Sequence, residues 1–156
     1  MRAAIVTRDI DAAALIAEVA SAANGATSLF LGTVRDVSDG RAVTGMEYTA
    51  YDAMASRELA KIADEASEKF AGVALVIEHR VGALALGDIS VAIAAAHAHR
   101  AHALDATRFV IEELKRRVPV WKREHYADGT REWVDPSSSM APSALSASSR
   151  PREPAP

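Results

Sequence analysis

The chain has 156 residues, of which 49% are hydrophobic and 25% charged, and its formal net charge is −3. This balance predicts one globular domain with a substantial core and argues against a strongly basic nucleic-acid-binding protein. The chain contains no cysteine, which excludes disulfides, thiolate metal sites and a cysteine nucleophile.

The chain shows no sign of membrane insertion or export. No apolar run reaches the ~18 residues that a membrane span needs. Asp9 and Asp11 lie where a signal peptide requires an apolar core. We therefore expect a cytoplasmic protein.

In the first half of the chain, apolar spacing predicts a short strand, a helix and two longer strands. These are strand 5–6, a helix from Asp9 or Asp11 to Asn24, strand 27–35 and strand 43–51. A turn signal at 38–40 lies between the two longer strands and predicts that they form a hairpin. Gly32 interrupts the first of them, which indicates a bulge or a close approach of the backbone to a ligand.

In the second half of the chain, apolar spacing predicts two helices, with strands between them and further strands after the second helix. These are helix 52–70, strand 73–77, strand 89–95, a helix ending at Val118, strand 120–125 and strand 131–134. The predicted buried positions are Met54, Leu59, Ile62, Ala63 and Ala66 in the first helix, and Leu104, Thr107, Ile111 and Leu114 in the second. Asp52 is the predicted N-cap of the first helix, and Pro119 forces the second to end.

This order of elements indicates the α+β class, with several antiparallel strands. From Pro136 to Pro156, 16 of 21 residues are Ser, Pro or Ala, a composition that can bury little apolar surface. We therefore predict a folded domain over residues 1–135 and a disordered tail over 136–156.

Basic residues are concentrated around the end of the second helix. They are Lys115, Arg116, Arg117, Lys122 and Arg123, with no acidic residue among them. In an acidic chain this cluster points to an anionic ligand, although a solvated helix C-terminus explains the charge as well. Because Pro119 breaks the helix between Lys115 and Lys122, the chain can bring both ammonium groups to one site, where they would support proton transfer or nucleophilic attack. Two solvated lysines remain the alternative.

Three histidines, His97, His99 and His102, invite a metal site, but no carboxylate or cysteine has a matching spacing. We therefore expect no metal. His99 and Arg100 begin a helix, where backbone N–H groups and an arginine fork favour an anion, and helix capping is the alternative. Arg35 ends a predicted strand next to a loop, from which its side chain could reach a cleft, although lone arginines at such positions are common. Nucleotide-binding glycine motifs are absent, and we expect no bound cofactor.

Several blocks of the chain, taken in order, are similar to one known family. The blocks are FLGTVRD, MEYTAYDAMA, IEHRVGALALGD, AHAHRAHALDA, EELKRRVPVWKRE and DGTREWV. Together they cover about residues 27–134 and resemble the large, catalytic subunit of molybdopterin synthase. The pattern LKxxxPxWKxE is the most specific. Leu104, His97 and His102 depart from the family's usual residues.

The resemblance implies an α+β fold, an α/β hammerhead joined to a β-rich subdomain. It also implies sulfur transfer in molybdenum cofactor biosynthesis, converting cyclic pyranopterin monophosphate into the dithiolene of molybdopterin. The sulfur would come as a thiocarboxylate on the C-terminal Gly-Gly of a small ubiquitin-like carrier subunit, and the assembly would be a heterotetramer built on a homodimer. Two sequence features agree with a separate carrier: the chain lacks cysteine, and it ends PREPAP rather than Gly-Gly.

The resemblance also implies which residues form the site. Lys115 and Lys122 match the catalytic lysines, although their separate roles stay open. The substrate-binding positions are Thr33, Val34, Arg35, His99, Arg100, Lys115, Lys122, Arg123 and Glu124. In physical terms, the Arg and Lys side chains would hold the phosphate and stabilise developing negative charge.

Two alternatives compete with this interpretation. One is a non-catalytic dimeric module that binds a phosphorylated metabolite, which would need no paired lysines. The other is a nucleic-acid-binding module, whose affinity for polyanions would depend strongly on salt.

Overall fold

The computed structural model describes residues 1–134. In chain order its elements are β1 (Arg2–Val6), α1 (Ala12–Val19), β2 (Ala26–Thr33), β3 (Val37–Ser38), β4 (Arg41–Ala50), α2 (Asp52–Lys69), β5 (Ala74–Arg80), β6 (Gly82–Leu84), β7 (Ile89–His97), α3 (Arg100–Arg117), β8 (Val120–Tyr126) and β9 (Arg131–Val134). The predicted tail and the domain boundary near Asp135 lie outside the described residues. Within the described range, no helix is long and apolar enough to cross a membrane.

The first sheet has the strand order β1-β5-β7-β2, with β1 parallel to β5 and the other pairs antiparallel. Both faces of its central strands are covered. Ile77 and Ile93 pack against α2 and α3, whereas Val76 and Ala94 pack against α1. Burial on both faces explains why β7 is apolar along almost its whole length instead of alternating.

The second sheet has the order β3-β4-β8-β9, and β6 also pairs with β4. All of its strand pairs are antiparallel. The predicted α+β class is therefore confirmed, and this second sheet forms the β-rich part of the fold.

The predicted hairpin between strands 27–35 and 43–51 is wrong. β2 pairs with β7 in the first sheet, whereas β4 pairs with β8 in the second. The turn at 38–40 does exist, with Asp39 and Gly40 at positive φ, but it joins β4 to the two-residue strand β3. Alternation shows that a segment is a strand, but it does not identify which strand lies beside it.

The buried faces of the two long helices differ from the prediction at one turn each. Met54 and Leu104 are 52% and 58% exposed, and the neighbouring Ala55 and Ala103 are buried instead. Small side chains at these turns allow each helix to approach the layer beneath it closely, while the larger neighbours point to solvent.

Two helix ends also differ from the prediction. Asp11 caps α1 as expected, by accepting hydrogen bonds from the N–H groups of Ala13 and Ala14, but the helix ends at Val19 instead of Asn24. Tyr51, not Asp52, is the N-cap of α2, and Asp52 is its first helical residue. A carboxylate still suits that first turn, where the helix dipole is positive.

Candidate active site

A cavity of about 200 Å³ lies where the two sheets meet the C-terminal end of α3. Its wall combines apolar side chains with polar and charged groups. The polar residues that bear on its chemistry are Thr33, Arg35, His79, Lys115, Lys122 and Glu124.

The break at Pro119 brings Lys115 and Lys122 to this one cavity. Lys115 lies in the last turn of α3, and Val118 then turns extended, with φ −77° and ψ 123°. β8 begins directly afterwards at Val120, so that Lys122 returns alongside the helix end. Both lysines line the cavity, as predicted from the proline between them.

The pleat of β8 divides its side chains between two faces. Lys122 and Glu124 point into the cavity. Arg123 lies on the opposite face, where it forms an ion pair with Glu47 and its guanidinium is 5.3 Å from the centre of the Trp133 ring. Arg123 therefore does not line the cavity, although it was a predicted substrate-binding residue.

Glu124 is a buried carboxylate that holds Lys122 in place. Its side chain is 1% exposed and accepts hydrogen bonds from Lys122 Nζ at 3.0 Å and from the Tyr126 hydroxyl at 2.7 Å. Burial opposes ionisation of Glu124, but the hydrogen bonds from Tyr126, Lys122 and Ser38 outweigh it and lower its pKa. The hydrogen bond to Glu124 in turn raises the pKa of Tyr126 to about 12. The site therefore contains an ionised carboxylate with Lys122 as its fixed counter-ion.

Two members of the basic cluster have a structural role. Arg117 binds Glu58 and Glu65 of α2, and it also binds Glu113 within its own helix. Arg116 pairs with Glu113 at the surface. For these two arginines the structure favours the alternative of a helix-end role without a ligand, because carboxylates of the protein already pair with them.

The unpaired cations at the cavity are Lys115 and Arg35. Within residues 1–134, neither has a carboxylate within 4 Å, although both line the cavity. The cavity thus presents two cations without protein counter-ions, and Lys122 adds a third that Glu124 partly neutralises. This arrangement suits an anionic ligand.

The segment of Thr33, Val34 and Arg35 reaches the cavity through a bulge. The register between β2 and β7 shifts between Gly32 and Thr33, as the glycine predicted. A Cβ on Gly32 would lie 2.6 Å from Val91 Cγ1, so a larger residue would force the Val91 side chain or the strand to shift. Thr33 and Arg35 then line the cavity, whereas the Val34 side chain is buried against Met46 and Leu84.

The segment of His99 and Arg100 lies at the other end of α3. Because Arg100 and Lys115 are fifteen residues apart in this 18-residue helix, they are separated by about 22 Å along its axis. Neither His99 nor Arg100 lines the cavity of its own chain.

The histidine cluster has a structural explanation. His97 Nδ1 accepts the backbone N–H of His99 at 3.0 Å, and its Nε2 lies 3.1 Å from the carbonyl oxygen of Ala71. The ring of His102 lies 4.5 Å away between ring centres and is tilted by 56° to the ring of His97. Both nitrogens of His97 are therefore engaged by the backbone, and His97 stabilises the start of α3. In the part of the chain that the structure describes, no three His, Asp or Glu side chains are placed to hold a metal ion.

His79 is a cavity residue that the sequence did not identify as functional. It continues the face of β5 formed by Leu75 and Ile77, which pack against α2 and α3. In the sequence, the available signal was a polar residue that continues the alternating apolar positions of a strand. Only the orientation of the strand in the fold shows that this position faces the cavity.

Comparison with known proteins shows where this chain belongs. The sequence profile of a family described as MoaE protein matches residues 5–117. A molybdopterin synthase catalytic subunit from Emericella nidulans is 44% identical over 115 residues, which are 74% of this chain and 59% of that relative. Another, from Halalkalibacterium halodurans, is 38% identical over 133 residues, which are 85% of each chain.

The fold agrees with these relationships. The crystal structure of molybdopterin synthase from Staphylococcus aureus superposes with a TM-score of 0.80 at 37% identity, covering 84% of this chain and 95% of that one. The sequence resemblance and the fold therefore lead to the same assignment. The chain belongs to the MoaE protein family, in which the relatives named above are molybdopterin synthase catalytic subunits.

Proposed function

We propose that this chain is the catalytic subunit of a molybdopterin synthase. Such subunits are sulfurtransferases of molybdenum cofactor biosynthesis. The chain would transfer sulfur from the C-terminal thiocarboxylate of a small carrier subunit to cyclic pyranopterin monophosphate, forming the dithiolene of molybdopterin. The observation that carries this proposal is the meeting of Lys115, Lys122 and Arg35 at one cavity in a member of this family.

The charges of the cavity suit both reactants. The cyclic phosphate and the thiocarboxylate are anions, and Arg35 and Lys115 supply cations without protein counter-ions. Ion pairing of this kind is strengthened inside a cavity, where water screens charge less. Because the chain has no cysteine, the transferred sulfur must reside on another molecule, which supports a separate carrier with a C-terminal Gly-Gly thiocarboxylate.

The two lysines have different roles because they have different hydrogen-bond partners. Lys122 already donates to Glu124 at 3.0 Å, so it acts as a fixed cation that stabilises negative charge. Lys115 makes no such bond within residues 1–134, and its ammonium group is available to bind the substrate or to transfer a proton. Positioning and charge stabilisation therefore account for the catalysis without a nucleophile from this chain.

The position of Arg100 supports a homodimer at the centre of the assembly. If His99 and Arg100 contact the substrate, a second copy must supply them, because they lie about 22 Å along α3 from Lys115. Mixing a Lys115→Ala variant with an Arg100→Ala variant tests this. Random re-association of dimers would restore about one quarter of the intact sites. No recovery of activity, with exchange of subunits demonstrated, would refute a shared site.

A single-turnover assay tests the function itself. It combines this chain, a thiocarboxylated carrier and cyclic pyranopterin monophosphate, and it measures the dithiolene product. We expect product from the wild type and a loss of about 10²-fold or more for Lys115→Ala. The matched control is Lys61→Ala, a lysine with a 67% exposed side chain that pairs with Glu58 on α2.

The outcomes separate the hypotheses. Equal rates for wild type and Lys115→Ala would refute the role of that lysine. Pterin binding without product would favour a non-catalytic module that binds a phosphorylated metabolite. Salt-dependent binding of polyanions would favour a nucleic-acid-binding protein. The cytoplasmic location expected from the sequence stays a prediction.

A further inference from the structure

His79 is a nearly buried histidine in the wall of the cavity. Its residue is 5% exposed, and it is the last inward-facing position of β5 before the chain turns at Gly82. The ring packs edge-to-face against Tyr48, with 5.4 Å between ring centres. The orientation of the imidazole is therefore held on one side by an aromatic ring and on the other by the strand.

The hydrogen bonding of His79 determines its tautomer. Nδ1 lies 3.0 Å from the carbonyl oxygen of Arg80, and because a carbonyl only accepts, Nδ1 must carry the hydrogen. Burial lowers the pKa of His79 to about 4, although the bond to Arg80 opposes this, so the ring is neutral near pH 7. Nε2 then carries a lone pair, and no residue of 1–134 donates a hydrogen bond to it.

Most of the other charged groups of the cavity are hydrogen-bond donors. Arg35, Lys115 and Lys122 can only donate hydrogen bonds, and both oxygens of Glu124 already accept from protein donors. These groups can hold a phosphate or a thiocarboxylate. They leave the N–H groups of a pterin without a charged or strongly basic acceptor, and a donor buried without a partner is costly.

We propose that His79 Nε2 accepts a hydrogen bond from an N–H or O–H group of the pterin and so selects the heterocycle that the cavity binds. This inference rests on the proposed function. Phe30 and Tyr48 also line the cavity and provide aromatic surface for a planar ring. His79 is thus a substrate-contacting residue that recognises the pterin, while the cations recognise its phosphate.

Two substitutions separate this contact from a structural role. His79→Asn places an amide N–H near the position of Nδ1 and can keep the bond to Arg80, but it has no acceptor at the position of Nε2. His79→Gln places an amide oxygen near Nε2 but loses the bond to Arg80. A structural role would make Gln the more damaging change, whereas a substrate contact makes Asn the more damaging one.

The measurements are the dissociation constant of cyclic pyranopterin monophosphate, by fluorescence titration without carrier, and the thermal midpoint of each variant. For His79→Asn we expect the smaller loss in thermal midpoint of the two variants, because the bond to Arg80 is kept, and about 10- to 100-fold weaker pterin binding. For His79→Gln we expect a lower midpoint than for His79→Asn and pterin binding closer to that of the wild type. Inorganic phosphate should inhibit pterin binding to His79→Asn as strongly as it inhibits pterin binding to the wild type, because His79 does not hold the phosphate.

The inference would be overturned if His79→Asn bound the pterin with wild-type affinity. It would also be overturned if pterin binding weakened in both variants in proportion to their loss of stability. The single-turnover assay is run beside the titration. If the wild type binds pterin but forms no product, sulfur transfer is refuted, and the binding data alone decide the role of His79.

Discussion

Replacing Glu124 by Gln tests how the site holds Lys122. The substitution preserves the shape of the side chain but removes its charge, at a position that is 1% exposed. The Gln oxygen can serve one of the two donors well, while its NH₂ group faces the other. We therefore expect both a loss of stability and a slower single turnover, because Lys122 loses its counter-ion.

The magnitude follows from the two hydrogen bonds, at 3.0 and 2.7 Å. Hydrogen bonds to a charged group contribute about 1.5–3 kcal/mol each, and breaking a fully buried pair costs about 3–5 kcal/mol. Because the Lys122 side chain is 18% exposed and can regain water, we expect a loss of about 2–3 kcal/mol in the free energy of unfolding. For a chain of this size that corresponds to about 5–10 °C in the thermal midpoint.

The assay is urea denaturation at pH 7, with Glu132→Gln as the matched control. Glu132 lies directly opposite Glu124 in the β8–β9 pairing, but its side chain is 52% exposed and pairs with Arg41 at the surface. An exposed pair of this kind contributes about 0–1 kcal/mol. Equal destabilisation by the two substitutions would refute the argument.

Acid provides a second check. The pKa of Glu124 is lower in the folded state than its ordinary value, so its ionisation stabilises the fold above the unfolded pKa of about 4.3. That stabilisation is lost as the pH falls through the lower folded pKa. The difference between wild type and Glu124→Gln should therefore shrink at acid pH. A difference that stays constant down to pH values of about 3 would contradict this assignment.

Three further predictions concern the surrounding fold. Gly32→Ala should lower the free energy of unfolding by about 1–3 kcal/mol and weaken pterin binding, because its Cβ would meet Val91 at 2.6 Å in the cavity wall. Urea denaturation measures the change in stability, and the pterin titration measures the change in binding. Leu104→Gln should change stability by less than about 0.5 kcal/mol, whereas Val110→Ala, at a fully buried position of the same helix, should cost about 2 kcal/mol in urea denaturation. Arg117 lowers the pKa of the two α2 carboxylates it binds, so Arg117→Met should be less stable than wild type at pH 7. The difference in free energy of unfolding between the two proteins should narrow as those carboxylates are protonated in an acid titration. A difference that widens would contradict the prediction.

Much of the local structure could be predicted from neighbouring residues. Pro119 predicted the end of α3, and it allowed the return that brings Lys115 and Lys122 to one cavity. Gly32 predicted the bulge. The placement of Arg123 outside the cavity also follows from strand alternation, because it lies between Lys122 and Glu124 on the other face of the pleat.

Other features needed the tertiary structure. Whether Met54 or Ala55 faces the core depends on how closely α2 approaches the layer beneath it, and both residues fit a helical pattern. The family resemblance placed Arg100 at the substrate site but gave no distance. The structure shows that Arg100 begins α3, whereas Lys115 lies in its last turn, so Arg100 does not line the cavity of its own chain.

The sequence alone therefore determined the three helices, the longer strands and the α+β class, because these depend on spacing over a few residues. The family resemblance and the matched pair of lysines came from ordered blocks along residues 27–134. The tertiary structure decided that β2 lies beside β7, that Arg116 and Arg117 serve the fold, and that His79 faces the cavity. Those features depend on which distant surfaces meet. Burial of apolar area between whole layers, rather than any local pattern, selects that arrangement.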